Sequence, residues 1–235
     1  MKLLVSPYTV EEAGEVLKGR ADIIDVKNPK EGSLGANFPW VIRDIVSIAE
    51  GKAETSATMG DLKFKPGQAS QAAFGLSLLG IDYIKAGLAF TGMERAEEMA
   101  RSIVKAVEGR TKVIIAGYAD YALIKTLSPL ELPAIAEKAG AHGVMIDTFT
   151  KKGRGLFDFM SEEELSVFIE EAHSKNLEVA LAGSLKEEQI LRVKKLGADI
   201  AGVRGAVCSG GDRVNGKISI ERVKELKKIC SAKSL

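Results

Sequence analysis

The chain has 235 residues, 46% of them apolar, and a formal charge of +1. That length suits a single eight-fold barrel, the apolar share supplies one core, and the balanced charge argues against a dedicated nucleic-acid binder. No stretch approaches the roughly 20 consecutive apolar residues that span a bilayer. The short apolar start meets Pro7, Glu11 and Glu12 before it could act as a signal core, so a cytoplasmic protein without a membrane partner is expected.

In chain order, Lys2–Ser6 reads as the first strand, and Thr9 with Glu12 three residues on has capping-box spacing for the helix that follows. Ala21–Lys27 is the most informative strand. Side chains alternate across a strand, so Ile24 and Val26 share one face while Ile23, Asp25 and Lys27 share the other. A lysine and an aspartate on one face of a buried strand are costly, and a desolvated lysine beside a carboxylate is a way to make an amine nucleophile. The Gly-rich segment after it, Lys30 to Asn37, also stands at the end where the strand closes and could seat a second phosphate.

Ala53–Met59 follows, with Glu54 deep and Ser56 and Thr58 nearer its end; Lys63 and Lys65 read as solvated loop charge. Asp82–Ala86 carries Lys85 at its close, and Lys112–Gly117 is apolar. The helical stretch Ser128–Gly140 is interrupted early by Pro129 and Pro133. Gly143–Thr148 presents Asp147, with Lys151 in the next loop. Ser161 opens a helix ending near His173. Glu178–Gly183 precedes a helix over Glu187–Leu196 that stops at Gly197, and Asp199–Arg204 is the eighth strand.

Eight strand–helix units without a linker or a change of composition predict one α/β domain over residues 1–235, a (β/α)8 TIM barrel, with a doubly wound sheet as the structural alternative. In such barrels chemistry sits at the C-terminal strand ends. Lys27, Lys85, Lys151, Asp25 and Asp147 therefore converge on one rim, where perturbed charges mark function more often than solvated surface. After strands seven and eight, Gly183 and Ser184, then Gly202, Arg204 and Gly205, have the small residues and the cation of a barrel phosphate site. His142, His173, Cys208 and Cys230 lack metal-ligand spacing, so no metal is expected. No nucleotide-binding glycine fingerprint follows the first strand, so no nicotinamide cofactor is expected either.

The blocks Asp25-Val26-Lys27-Asn28-Pro29-Lys30-Glu31-Gly32-Ser33-Leu34-Gly35, Tyr83-Ile84-Lys85-Ala86-Gly87 and Met145-Ile146-Asp147-Thr148, followed by Lys151, carry a resemblance. From Lys2 through the last helix the chain resembles the (5-formylfuran-3-yl)methyl phosphate synthase family, archaeal barrel enzymes that begin methanofuran biosynthesis. The resemblance implies a lyase that condenses two glyceraldehyde 3-phosphate molecules into a furan carboxaldehyde phosphate, losing phosphate and water without a cofactor. It also implies that Lys27 forms the Schiff base and Lys85 acts as acid/base, with Asp25, Asp147 and Lys151 in support. Lys152 adjoins Lys151 and could take its place.

Carboxylates favour protonated amines, so burial and lysine–lysine repulsion must outweigh them for an amine to attack a carbonyl. The alternative enzyme is a Schiff-base aldolase acting on another sugar phosphate. A non-catalytic phosphate-ester sensor is the reading from a different class, and it predicts tolerance of Lys27→Ala. Barrels often associate through helices or rim loops, so a homo-oligomer is compatible with the chain, although no motif identifies its surface.

Overall fold

The computed structural model describes residues 1–150 and 153–232. Strands β1 (Lys2–Val5), β2 (Ile23–Val26), β3 (Glu54–Leu62), β4 (Tyr83–Leu88), β5 (Lys112–Tyr118), β6 (Gly143–Asp147), β7 (Glu178–Leu181) and β8 (Ile200–Val203) form a closed barrel in sequence order. Every neighbouring pair is parallel, and β8 closes on β1 with Leu4 opposite Gly202. The expected (β/α)8 barrel is therefore the fold.

The helices are α1 (Val10–Lys18), α2 (Pro39–Ala49), α3 (Pro66–Ser77), α4 (Met93–Val107), the single turn α5 (Tyr121–Ile124), α6 (Leu132–Ala139), α7 (Glu162–Ser174), α8 (Glu187–Leu196) and α9 (Ile220–Ser231). Local chemistry sets their ends. Thr9 Oγ1 accepts the Glu12 N–H at the start of α1, Ser161 and Glu164 form a reciprocal capping box on α7, and Gly197 closes α8 in the left-handed conformation. The prolines that interrupt the sixth helical stretch sit in its first turns: Pro129 opens a 3-10 turn and Pro133 lies near the start of α6, where a missing N–H costs nothing.

Alternation along the strands separates two apolar layers. Leu3, Val5, Ile24, Val26, Ile84 and Ile146 face outward and pack with helix residues such as Ile42, Ile45, Phe168 and Ile190. Leu4, Ile23, Tyr83, Ile114, Met145 and Ile200 fill the barrel. Burying each such aliphatic side chain contributes about 1.5–3 kcal/mol, and this large store of apolar burial lets the mouth hold charges that oppose folding.

The two ends of the barrel differ. At the N-terminal end Lys2 Nζ lies 2.7 Å from Glu54 and 3.5 Å from Glu178. The Tyr83 hydroxyl sits 3.3 Å from Lys2 Nζ and 3.2 Å from Lys112 Nζ. This polar plug contains the Glu54 that the sequence placed deep.

At the other end the segment from Asn28 to Gly35 folds across the mouth, and Leu34 is fully buried among the interior side chains. β3 runs to Leu62, beyond the expected end at Met59, because a bulge between Thr58 and Asp61 resets its register. Gly60, at φ 106°, supplies the left-handed backbone the bulge requires. The bulge turns Asp61 toward the mouth.

Candidate active site

Four charged side chains that end apolar strands are buried together at the C-terminal mouth: Asp25 at 0% exposure, Lys85 and Asp147 at 2%, and Lys27 at 7%. Strand register explains the grouping. Asp25 on β2 pairs with Ser56 on β3, Thr58 on β3 with Lys85 on β4, and Tyr118 on β5 with Asp147 on β6.

Two ion pairs result. Lys85 Nζ lies 2.6 Å from Asp25 Oδ2, and Lys27 Nζ lies 3.7 Å from Asp147 Oδ2. Asp25 is held on both sides: Ser6 Oγ–H donates to Oδ2 at 2.8 Å and Ser56 Oγ–H to Oδ1 at 2.5 Å. Burial pushes the Asp25 carboxyl toward neutrality, but the Lys85 and Lys27 ammonium groups win and hold it below the usual carboxylate range. Asp25 is thus an anion shared by two lysines from different strands. Asp147 Oδ1 accepts the Thr148 N–H at 2.7 Å, which fixes its rotamer at the end of β6.

The lid over the β3–β6 side is tied down by a carboxylate the sequence left unassigned. Asp61 accepts the N–H groups of Ser33 at 2.9 Å and Leu34 at 3.1 Å, and the Tyr118 hydroxyl at 2.6 Å. Burial raises the Asp61 carboxyl, and burial with the adjacent Asp61 charge raises the Tyr118 phenol well above its ordinary value. Ser33 Oγ–H reaches the Thr148 carbonyl at 2.7 Å, and Thr58 Oγ1–H the Gly35 carbonyl at 2.7 Å. In the Lys30–Asn37 segment, expected as a second phosphate seat, the Ser33 and Leu34 amides are taken by Asp61, and the Gly32 carbonyl faces Arg213.

A cavity of about 790 Å³ opens on the remaining side, lined by Lys27 and Asp147 and by residues of the β7 and β8 loops. Gly183 (φ 106°) and Ser184 (φ 53°) follow β7 in left-handed backbone, which a non-glycine residue adopts at a cost. Among the described residues, the N–H groups of Gly183, Ser184, Gly205 and Ala206 have no acceptor. Gly202 lies beneath them, where an added Cβ would stand 3.1 Å from the Ala182 Cβ.

Arg204 lines the same cavity, but its guanidinium donates to the Ser6 carbonyl at 2.7 Å, to Glu12 at 2.8 and 3.2 Å, and to the Arg213 carbonyl. In that arrangement it braces β1 and α1 against β8. Lys151 and its neighbour Lys152 lie outside the described residues. The start of their loop is fixed by Asp120, which accepts the Phe149 N–H at 2.7 Å and the Thr150 N–H at 2.8 Å.

Among the described residues, no three His, Cys, Asp or Glu side chains are grouped as metal ligands, and no helix is long and apolar enough to cross a membrane. Cys208 and Cys230 are buried free thiols.

Paired lysines and carboxylates at the C-terminal strand ends, beside free backbone amides, define a barrel enzyme with amine and acid/base groups at its mouth. The comparisons give the particular family. A family model described as 4-HFC-P synthase matches residues 3–227. Two proteins named (5-formylfuran-3-yl)methyl phosphate synthase are close relatives. The one from Methanocaldococcus jannaschii is 52% identical over 98% of this chain and all of its own, and that from Methanobrevibacter smithii is 50% identical over 99% of this chain and all of its own. The chain belongs to this family of enzymes. Among solved structures it resembles 3-hexulose-6-phosphate synthase from Salmonella typhimurium, with a TM-score of 0.64 at 18% identity over 98% of this chain and all of that one; that likeness concerns the fold.

Proposed function

We propose that this chain is a cytoplasmic, single-domain lyase of methanofuran biosynthesis that joins two glyceraldehyde 3-phosphate molecules into (5-formylfuran-3-yl)methyl phosphate through an imine on Lys27. The observation that carries the reading is the pair of buried ion pairs, Lys27–Asp147 on the cavity wall and Lys85–Asp25 at the same mouth. The lysine lining the cavity is the one suited to attack a carbonyl. Its protonated imine withdraws electrons and acidifies the adjacent C–H, and the resulting enamine expels phosphate from the next carbon. The proton needs an acceptor near that carbon, and the oxygens that depart later as water need a donor. Lys85 and Asp147 are the groups at hand, with Asp25 setting the charge between the two lysines and Lys151 in support.

The atoms balance: two trioses less one phosphate and two waters give the furan phosphate, with no net oxidation. The phosphate that stays is seated on the N–H groups of Gly183, Ser184 and Gly205, with Gly202 and Arg204 supporting that rim.

The test is incubation with glyceraldehyde 3-phosphate, followed in the ultraviolet and quenched with borohydride for peptide mass spectrometry. A furan chromophore with a reduced adduct on Lys27 is expected. Lys27→Arg keeps the charge, cannot form the imine, and should abolish both signals. An adduct without chromophore would instead favour the aldolase reading.

A further inference from the structure

The cavity contains a second arginine that the reading above does not use. Arg213 stands at the tip of the segment after β8, and the fold builds a rigid mount for it. Cys208 and Ile218 form an antiparallel bridge across the base, and Ser209 N–H donates to the Lys217 carbonyl at 2.9 Å. Asp212, the nearest carboxylate in sequence, is turned away to accept the N–H groups of Val214 at 2.8 Å and Asn215 at 3.0 Å. Gly216 is tightly packed: a Cβ there would lie 2.4 Å from the Asp212 carbonyl.

The guanidinium is half-buried, and it reaches across to the β2 loop. Its Nη2 donates to the Gly32 carbonyl at 3.1 Å and Nη1 lies 3.5 Å from the Pro29 carbonyl. Among the described residues no carboxylate lies within ion-pair distance of it, although Asp147 is near enough for its charge to act on the group. Arg204 shows the contrast, since Glu12 and two carbonyls satisfy its guanidinium. A guanidinium has five N–H donors, so Arg213 keeps several free toward a cavity already lined by Lys27 and Asp147. Holding a half-buried cation without an anion is unfavourable unless the anion arrives with a ligand.

We propose that Arg213 forms a second phosphate subsite, distinct from the Gly183–Ser184–Gly205 seat, and binds the phosphate that leaves. This rests on the two-triose reading, which puts two phosphates into one cavity and removes one. In the elimination the C–H bond beside the imine breaks, its proton passes to Lys85 or Asp147 and its pair forms the enamine double bond. The nitrogen pair then restores the C=N bond, the enamine pair shifts to a new C=C at the next carbon, and the C–O bond to phosphate breaks with its electrons going to the leaving oxygen. Nothing is oxidised or reduced. Arg213 stays protonated throughout, so its contribution is charge and bidentate hydrogen bonding on the departing oxygens. Its anchor on the loop beginning at Lys27 keeps this subsite on the side of the cavity where the imine forms.

The experiment compares wild type with Arg213→Gln and Arg213→Lys, using inorganic phosphate as probe in titration calorimetry and glyceraldehyde 3-phosphate in turnover. Expected are two phosphates bound per wild-type chain and one by Arg213→Gln, with unchanged melting midpoints in phosphate-free buffer. In turnover, Arg213→Gln should lose 100-fold or more in kcat while the borohydride adduct on Lys27 persists, and Arg213→Lys should recover part of the rate. Wild type binding a single phosphate, or Arg213→Gln still binding two, would overturn the subsite. So would a variant that loses adduct and melting midpoint together, the signature of a strut between loops. If wild type makes no furan yet phosphate binding still falls from two to one in Arg213→Gln, the furan reading fails and the subsite stands.

Discussion

Replacing Asp25 with Asn tests the charge arrangement at its centre. Asp25 is fully buried, lies 2.6 Å from Lys85 Nζ, and accepts hydrogen bonds from Ser6 and Ser56. Asparagine keeps the shape but removes the charge, and its amide presents N–H donors toward groups that are themselves donors. Lys85, 2% exposed, is left without a counter-ion. Breaking a buried pair from one side costs about 3–5 kcal/mol, a large part of the roughly 5–15 kcal/mol of a typical chain. At about 2–4 °C per kcal/mol for a chain of this size, the melting midpoint falls by roughly 6–20 °C.

The assay is calorimetric melting of Asp25→Asn, Lys85→Met and the double variant. Lys85→Met leaves Asp25 short of one of its two cations, and the double variant removes both charges. It should recover most of the stability and none of the turnover. A loss below about 1 kcal/mol for Asp25→Asn, within the range of a surface pair, would refute the reasoning. So would a double variant no more stable than Asp25→Asn.

Gly87→Ala should lower the melting midpoint and slow turnover, because the new Cβ would stand 2.2 Å from the Tyr118 hydroxyl and 2.7 Å from Leu34 Cδ1. Overpacking of this kind costs about 1–3 kcal/mol, and thermal melts with an activity assay read both effects. Tyr83→Phe removes the hydroxyl from the plug at the opposite end of the barrel; stability should fall by about 1–2 kcal/mol with kcat unchanged. Acid denaturation should carry Asp25's signature. Its folded pKa is depressed, so its contribution is present above the unfolded value of about 3.9 and is lost as pH falls below that toward the folded value. Asp25→Asn should therefore show a shallower loss of stability below about pH 4, followed by urea melts across the acid range.

Eight strands were legible because each apolar run alternates with an amphipathic helix, and Asp25, Lys27, Lys85 and Asp147 were legible because charge at the end of an apolar strand is anomalous. What pairs with what was not. Asp61 and Tyr118 lie 57 positions apart, and only the Gly60 bulge, which offsets β3 by its local backbone, turns Asp61 inward. Spacing carries no trace of that. The segment from Lys30 to Asn37 read as a second phosphate seat because its glycines permit close backbone approach, yet the Ser33 and Leu34 amides bind a carboxylate of this chain. Arg204 and Arg213 are indistinguishable by composition. Their difference arises because Glu12, 192 positions before Arg204, meets it across the β8–β1 seam that closes the barrel.

The asymmetry of the mouth connects these details. Leu34 and the Asp61–Tyr118 bond close the β3–β6 side, so the cavity has Lys27 on its wall while Lys85 is held against Asp25 deeper in the barrel. Two lysines of identical chemistry are thereby given unlike surroundings. One lines an open cavity, and the other is buried against a fixed charge in a low-dielectric setting. The loop that makes this division starts at Lys27 itself: Lys27 N–H bonds the Pro7 carbonyl, and Asn28 N–H bonds the Gly35 carbonyl to close the loop on its own base. The residues from Asp25 to Gly35 thus supply the lysine on the cavity wall, the carboxylate that pairs with Lys85, and the lid on the mouth.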